Sequence, residues 1–184
     1  MRQIIIAFTG KKYSGKDTAG KGLLRTPGWT HESFAAPIRA AACALMGITL
    51  VELQRIKEIP QEILGGKRLR DFMQLMGTEF GREMIDYDMW LNALKYRISD
   101  AKKVVITDLR FPNEAKCVHD LGGIIVEVQR PGQKSYDTHA SEQDLARELI
   151  DEILVNDRTT SDLQERAYGI YRRFVQETKC TNGS

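Results

Sequence analysis

The segment Ile4-Ile5-Ile6-Ala7-Phe8-Thr9 runs directly into Gly10-Lys11-Lys12-Tyr13-Ser14-Gly15-Lys16-Asp17-Thr18, and no other stretch of the chain restricts the fold so strongly. Its first part is apolar and nearly continuous rather than alternating, the pattern of a strand buried on both faces. Such a strand needs helices on each side of a parallel sheet. Its second part is a glycine-bounded loop opening a helix. Gly10 and Gly15 let backbone N–H groups turn inward toward phosphate oxygens, with Lys11, Lys12 and Ser14 along the same loop. The helix presents its N-terminal end to the same anion, and Lys16 reaches the β- and γ-phosphates. The spacing G-x-x-x-x-G-K in this setting reads as a phosphate-binding loop. Asp17 stands where Ser or Thr usually contacts Mg²⁺, with Thr18 one residue later, so the direct metal contact is open between them. The plainer alternative is a strand–helix turn with exposed lysines.

Short apolar runs at residues 3–8, 31–34, 103–107, 123–128 and 152–155 are the expected strands. Helical patterning covers residues 18–25, 37–46, a long central block 51–99, then 112–121 and 160–175. Leu69, Phe72, Met73 and Met76 carry the helical spacing of the block, and Gly122-Gly123 supplies a stop after 121. Ser141-Glu142-Gln143-Asp144 resembles a capping box opening a further helix to Ile150. The expectation is one α/β domain over residues 1–184: a three-layer fold with a parallel sheet of about five strands and helices on both faces. A helical insertion occupies about residues 47–100, and a flexible tail about 178–184.

Composition narrows the function classes. The chain has 184 residues, 42% hydrophobic and 28% charged, which suits one globular domain rather than a disordered chain. The formal net charge is only +2, so no global field concentrates the protein on a polyanion. With no DNA-reading motif either, the expectation is no nucleic-acid partner and no membrane partner. Cys43, Cys117 and Cys180 show neither a CxxC pair nor metal-ligand spacing, and suit free thiols in a reducing compartment. The N-terminal apolar run is too short for a signal-peptide core or a membrane span. A cytoplasmic protein is therefore expected.

A second buried run ends in Thr107-Asp108 and continues Leu109-Arg110-Phe111-Pro112-Asn113-Glu114. An acid ending a strand beside a phosphate loop is placed to hold Mg²⁺, usually through water; a helix-capping turn residue is the equally simple alternative. The loop ending Gly-Lys-Asp-Thr, the Asp108–Glu114 segment, and Leu75-Met76-Gly77-Thr78-Glu79-Phe80-Gly81-Arg82 with Trp90 downstream together resemble the bacteriophage-type deoxynucleoside monophosphate kinases. The likeness runs from Ile4 to about Leu163. It implies a P-loop kinase fold with a helical acceptor-binding insertion, and transfer of the ATP γ-phosphoryl group to a dNMP with Mg²⁺. If the chain is phage-encoded, the reaction takes place in the host cytoplasm.

The resemblance also implies roles. Lys16, Arg110, Arg130 and Asp108 become the catalytic set, with Asp17 and Asp108 as metal candidates. Gly10, Lys11, Lys12, Ser14, Gly15, Lys16, Asp17, Thr18, Arg130 and Asn156 take the ATP side. Arg39, Arg70, Gln74, Thr78, Arg82 and Arg110 take the acceptor side. Arg70, Gln74, Thr78 and Arg82 fall broadly on one helix face; for Arg82 a solvated face is an equal alternative. Trp90 reads as core in preference to a stacking platform. Arg130 starts a lid at about residues 130–141 in which Lys134 is a phosphate candidate. His139, Ser141 and Glu142 carry no assigned chemistry. A dephospho-coenzyme A or phosphomevalonate kinase is the nearest competing activity, and a non-catalytic nucleotide-binding regulator the competing class. A homodimer is left open. Eight basic residues, Lys11, Lys12, Lys16, Arg39, Arg70, Arg82, Arg110 and Arg130, are expected to face one pocket sized for small phosphorylated ligands.

Overall fold

The fold was obtained as a computed structural model that describes residues 3–132 and 145–181, with backbone alone for 178–181. The strands are β1 (Ile4–Thr9), β2 (Trp29–Glu32), β3 (Lys103–Ile106), β4 (Ile124–Gln129) and β5 (Glu152–Val155). The helices are α1 (Lys16–Leu24), α2 (Ala36–Met46), α3 (Leu50–Ile56), α4 (Leu69–Leu75), α5 (Met89–Arg97), α6 (Pro112–Asp120) and α7 (Thr160–Thr181). All five strands are parallel, in the order β2-β3-β1-β4-β5. The chain divides into two compact units: the part up to Ser33 together with the part from Ile98 onward, and Phe34–Arg97.

In the first unit, β1 lies between β3 and β4, with Ile6 beside both Val105 and Ile124. Every residue from Ile5 to Thr9 is buried, as the unbroken apolar run requires. One face of the sheet presents Ile6, Phe8, Val105, Val126, Val128 and Leu154 to Ala19 and Leu23 of α1 and to Leu163, Ala167 and Ile170 of α7. Strand alternation sends Ile5 and Ala7 to the opposite face. Gly123 is packed there so closely that a Cβ would lie 2.8 Å from Ile5 and 2.9 Å from Val118 of α6. The connection from β1 through α1 runs to the β2 edge, and that from β3 through α6 runs to β4 on the other side. A parallel sheet whose crossovers diverge in this way opens a crevice at the carboxyl ends of the two strands, here β1 and β3.

The second unit is helical. Ala42 of α2, Leu53 of α3 and Leu69 of α4 are fully buried, with Phe72, Met73 and Met46 packed against them. Gly47 ends α2 in the left-handed conformation, at φ 64°. Thr49 and Glu52 form a reciprocal capping box on α3, which lowers the Glu52 carboxyl pKa. Asp71 accepts from the Arg68 backbone N–H at 3.0 Å and from the Arg68 guanidinium at 2.6 Å; these bonds hold its pKa down and fix the start of α4. After α4 the chain passes directly into a ten-residue π-helix, Met76–Ile85. Trp90 of α5 packs against Gly81, where a Cβ would lie 2.6 Å from the indole, and its Nε1 donates to the Gly77 carbonyl at 2.8 Å. Trp90 is therefore core.

Three local expectations change. β2 begins at Trp29, two residues earlier than its apolar signal, because Trp29 sits edge-on against Tyr171 of α7 at 5.1 Å and pairs beside Lys103; Phe34 is buried beyond the strand end. The helix expected to reach Ile150 is absent from residues 145–150, which hold one 3₁₀ turn, Arg147–Leu149, between extended Ala146 and Ile150. The Asp151 N–H donates to the Ile125 carbonyl at 3.0 Å, drawing the chain into the sheet at the point where a helix would continue. The last helix runs on to Thr181, into the segment expected as tail. Residues 141–144 and 182–184, and the lid from 133 onward, lie outside the described residues. Among the described residues no single helix is long and apolar enough to cross a membrane.

Helices α1 and α7 meet at Gly22, where a Cβ would lie 2.5 Å from the Gln164 carbonyl oxygen and 2.8 Å from its Cα. Backbone cannot rotate away as a side chain can. Gly22→Ala is expected to destabilise the protein by about 2 kcal/mol, measured as a lower denaturant midpoint at unchanged slope. An unaltered midpoint would show that this contact does not limit the packing.

Candidate functional site

The carboxyl ends of β1 and β3 carry the polar residues that the apolar strands exclude. The loop after β1 is compact: the Ser14 N–H donates to the Lys11 carbonyl at 3.1 Å, and the Ala19 N–H to the Gly15 carbonyl at 2.8 Å. Two glycines make this path possible. Gly10 adopts φ 127°, and a Cβ there would strike the Val128 carbonyl oxygen; Gly15 adopts φ 112°, with a Cβ 2.6 Å from Asn156 Nδ2. No side chain caps the start of α1, so the first-turn N–H groups of Lys16, Asp17 and Thr18 are not taken up by a capping residue. Lys16 Nζ lies across the loop, donating to the carbonyls of Gly10 and Lys11 at 2.6 and 2.7 Å. The Ser14 hydroxyl is buried and has no hydrogen-bond partner among the described residues. A buried hydroxyl beside a helix start with no side-chain cap is a place where a ligand oxygen completes the bonding.

Tyr13, in contrast, is exposed, holds φ 66° and has Lys12 Nζ 5.1 Å from its ring centre. A non-glycine residue in this left-handed region costs on the order of 1–3 kcal/mol.

Asn156, at the end of β5, clamps the loop from outside. Its Nδ2 donates to the Ser14 carbonyl at 2.8 Å, and its own N–H donates to the Gln129 carbonyl at 2.7 Å. Asp108 follows β3 and accepts from the buried Ser33 hydroxyl at 2.6 Å. Beside it, buried Thr107 meets His31 Nε2 at 3.0 Å. The backbone N–H of Arg110 donates to Glu114 Oε2 at 2.8 Å, and that of Phe111 to the same oxygen at 3.1 Å. Glu114 is buried, and it fixes the turn that leads from Arg110 into α6. Arg130 follows β4 and is exposed. The first unit therefore gathers the loop, Asp108, Arg110, Arg130 and Asn156 at one edge of its sheet. Lys134, His139, Ser141 and Glu142 lie outside the described residues.

Arg39, Arg70, Gln74, Thr78 and Arg82 all fall in the second unit. Arg39 is on α2; Arg70 and Gln74 are on α4 and half-buried. Arg70 Nη1 is 3.7 Å from Glu58 Oε1. Thr78 and Arg82 lie in the π-helix, which alters the geometry inferred from their spacing. In an α-helix each step of four residues overshoots a full turn, whereas i→i+5 bonding takes more than four residues per turn, so the same step falls short. The two drifts oppose, which keeps residues 70, 74, 78 and 82 near one line despite the change of helix type. Arg82 is buried; its Nη1 donates to the Tyr87 carbonyl at 3.3 Å, and its guanidinium lies 5.9 Å from the Tyr87 ring centre.

Two residues here carry no role in the sequence reading. Glu114 was legible in principle, because an acid at the third position of a helix that starts with proline marks a capping residue. Ser33 gives no such signal, since its partner Asp108 is 75 residues away.

A family model described as deoxynucleotide monophosphate kinase matches residues 42–167, more than half of the chain. The match starts downstream of the Gly10–Thr18 loop, so the loop and the family likeness are separate observations. A protein of Acanthamoeba polyphaga mimivirus assigned as a deoxynucleotide monophosphate kinase is 32% identical, over 86% of this chain and 91% of its own length. The deoxynucleoside-5'-monophosphate kinase of Escherichia phage T5 is 35% identical, over 83% of this chain and 89% of its own. Among solved structures, TT1252 from Thermus thermophilus shares the fold, with a TM-score of 0.53 at 20% identity, covering 94% of this chain and 98% of TT1252.

Asn156→Ala removes the clamp on the Ser14 carbonyl. Titration calorimetry with ATP should show about tenfold weaker binding, the worth of one well-placed hydrogen bond. Affinity equal to that of the parent protein would separate Asn156 from the loop's function.

Proposed function

The chain belongs to the deoxynucleotide monophosphate kinase family, and from that premise we propose how it transfers the γ-phosphoryl group of ATP to a dNMP, giving dNDP and ADP. The observation that carries the reading is the loop after β1. Its glycines leave no room for side chains, α1 begins without a side-chain cap, and the buried Ser14 hydroxyl has no protein partner among the described residues. Together these features suit the β- and γ-phosphates of the donor. Lys11, Lys12 and Thr18 belong to the same donor site, with Asn156 holding the loop.

An oxygen of the acceptor phosphate attacks the γ-phosphorus. The bond from that phosphorus to the β–γ bridging oxygen breaks, and ADP leaves with the electron pair. The acceptor is already an anion, so no strong base is required. Catalysis then rests on alignment and neutralisation of charge. We assign the charge on the transferring group to Lys16, Arg110 and Arg130, with Arg110 also facing the acceptor phosphate. Glu114 keeps the Arg110 backbone fixed while the side chain engages. On the acceptor side, Arg39 and Arg70 serve the phosphate, and Gln74 and Thr78 the sugar or base. Arg82 belongs with them, holding the turn at Tyr87.

Among the described residues no cluster of three or more His, Cys, Asp or Glu side chains could hold a metal ion by itself. Mg²⁺ that accompanies a nucleotide is bound by one or two carboxylates, water and substrate phosphates, and needs no such cluster. Asp108 fits this role, with Asp17 or Thr18 contributing from the first turn of α1. When bound, Mg²⁺ supplies neutralisation of the phosphate oxygens.

Small phosphorylated molecules are the partners this arrangement suits, and a formal charge of +2 gives no support to a polyanion. The reaction is placed in the cytoplasm, where both substrates occur. A homodimer is read by sedimentation velocity, with a single species of monomer mass excluding it.

The test is a panel of dNMPs, NMPs, pantetheine phosphates and phosphomevalonate with ATP, following ADP and the phosphorylated product. ADP formation with at least one dNMP, and with neither pantetheine phosphate nor phosphomevalonate, is expected; turnover of no dNMP would overturn the assignment. Lys16→Ala should lower kcat by at least about 100-fold, the scale of losing a positioned charge at a developing anion. Residual activity within a few-fold of the parent would remove Lys16 from the chemistry.

A further inference from the structure

The polar edge of the first unit contains a hydrogen bond that the reaction outlined above does not use. Ser33 is 3% exposed, and its hydroxyl donates to Asp108 Oδ2 at 2.6 Å. It follows the last residue of β2, at the carboxyl edge of the sheet, where β2 lies next to β3. It is also the last residue of the first unit before the chain passes into Phe34–Arg97. The Asp108 side chain follows a strand end, and a free carboxylate there could rotate about χ1 and χ2. A short bond from a buried hydroxyl removes that freedom. The bond also occupies one carboxylate oxygen, Oδ2, and so sets which oxygen is directed elsewhere.

The surroundings fix Ser33 and Asp108 as a pair. Thr107, the residue before Asp108, is buried and held by His31 at 3.0 Å, so the two residues that follow β3 are tied to His31 and Ser33 at the end of β2. The Thr107 methyl faces Gly20 of α1, where a Cβ would lie 2.5 Å from it. The end of β3 is thus pinned to the helix that carries the phosphate loop, and the Asp108 carboxylate is pinned in turn by Ser33. Orienting a metal-directed carboxylate by a second hydrogen bond is a recurrent device, because the entropy of aligning it is then lost on folding and not on binding.

We propose that Ser33 is a positioning residue, whose hydroxyl orients the Asp108 carboxylate toward the Mg²⁺ that accompanies ATP. This rests on the metal role given to Asp108 above. The role predicts a defect confined to metal dependence. Ser33→Ala leaves the chain folded, because the substitution removes only the hydroxyl oxygen and adds no atom to the buried site, and melting temperature checks this directly.

The experiment measures ATP affinity by calorimetry, without acceptor, at a series of Mg²⁺ concentrations, for Ser33→Ala, Ser33→Thr, Asp108→Asn and the double variant Ser33→Ala/Asp108→Asn. Ser33→Ala should raise the Mg²⁺ concentration for half-maximal tight ATP binding by about tenfold, the lower end of what removing such a partner does. ATP affinity in the absence of Mg²⁺ should be unchanged. Ser33→Thr, which keeps the hydroxyl, should restore most of the Mg²⁺ dependence. In the Asp108→Asn background the Ser33→Ala change should add no further loss, because Ser33 acts only through that carboxylate. An unshifted Mg²⁺ dependence in Ser33→Ala, or an equal added loss in the Asp108→Asn background, would overturn the positioning role while leaving Asp108 in place. An unshifted Mg²⁺ dependence in Asp108→Asn would instead overturn the metal role of Asp108 itself.

Discussion

The turn from β1 into α1 has room for backbone only, and the rest of the first unit is arranged around that fact. At Gly10 a single added carbon would strike the Val128 carbonyl of β4, and at Gly15 it would meet the side chain of Asn156 after β5. The loop is therefore confined by the strands on its far side as much as by its own sequence. Because β4 and β5 form the walls, the register of the whole sheet matters to a loop of a few residues: Phe8 beside Val126 and Val128 beside Leu154 bring those walls to the right height. The buried apolar face shared with α1 and α7 then holds the register, since a shift of one residue would turn Ile6 and Phe8 to the wrong face.

Around this confined loop the polar residues at the sheet edge are held by hydrogen bonds with neighbouring side chains. Asn156 holds the loop, Ser33 holds Asp108, and Glu114 holds the backbone of Arg110. Asn156 and Ser33 lie far along the chain from their partners, so those two bonds exist only when the sheet is assembled, whereas Glu114 closes a local turn at the start of its own helix. Preorganisation of this kind suits phosphoryl transfer, in which little covalent work falls to the protein and most of the rate comes from alignment and fixed charge. The +2 net charge is compatible with it, because the lysines of the loop and the arginines at the sheet edge are balanced by acids such as Asp120 and Asp157 elsewhere.

What could be read from the sequence follows from how local each signal is. The strands β1, β3 and β4 were legible because Ile5–Phe8, Val104–Ile106 and Ile125–Val126 are consecutive buried residues and need no alternation to be recognised. β2 was displaced because Thr30, His31 and Glu32 are polar, and the residue that anchors the strand, Trp29, does so through Tyr171, more than 140 positions later. The helical character of the central block was legible from Leu69, Phe72 and Met73. Its π-helix was not, since the spacing of Arg70, Gln74, Thr78 and Arg82 fits either helix type when the drifts cancel. The helix expected to reach Ile150 failed because the Asp151 N–H is claimed by Ile125 of the sheet, a competition that no local propensity records. The loop itself was fully legible, as its glycines and lysine are contiguous. Ser33 was not, because its meaning depends on a partner brought near only by the pairing of β2 with β3.

The central claim is that this loop, and not another surface, takes the phosphates of ATP. Amide chemical-shift mapping by ¹H–¹⁵N NMR during titration with ATP tests it residue by residue. The largest shifts are expected on the amides from Gly10 to Thr18, with Asn156 and Asp108 affected next. Saturable shifts centred elsewhere, with the Gly10–Thr18 amides unmoved, would contradict it.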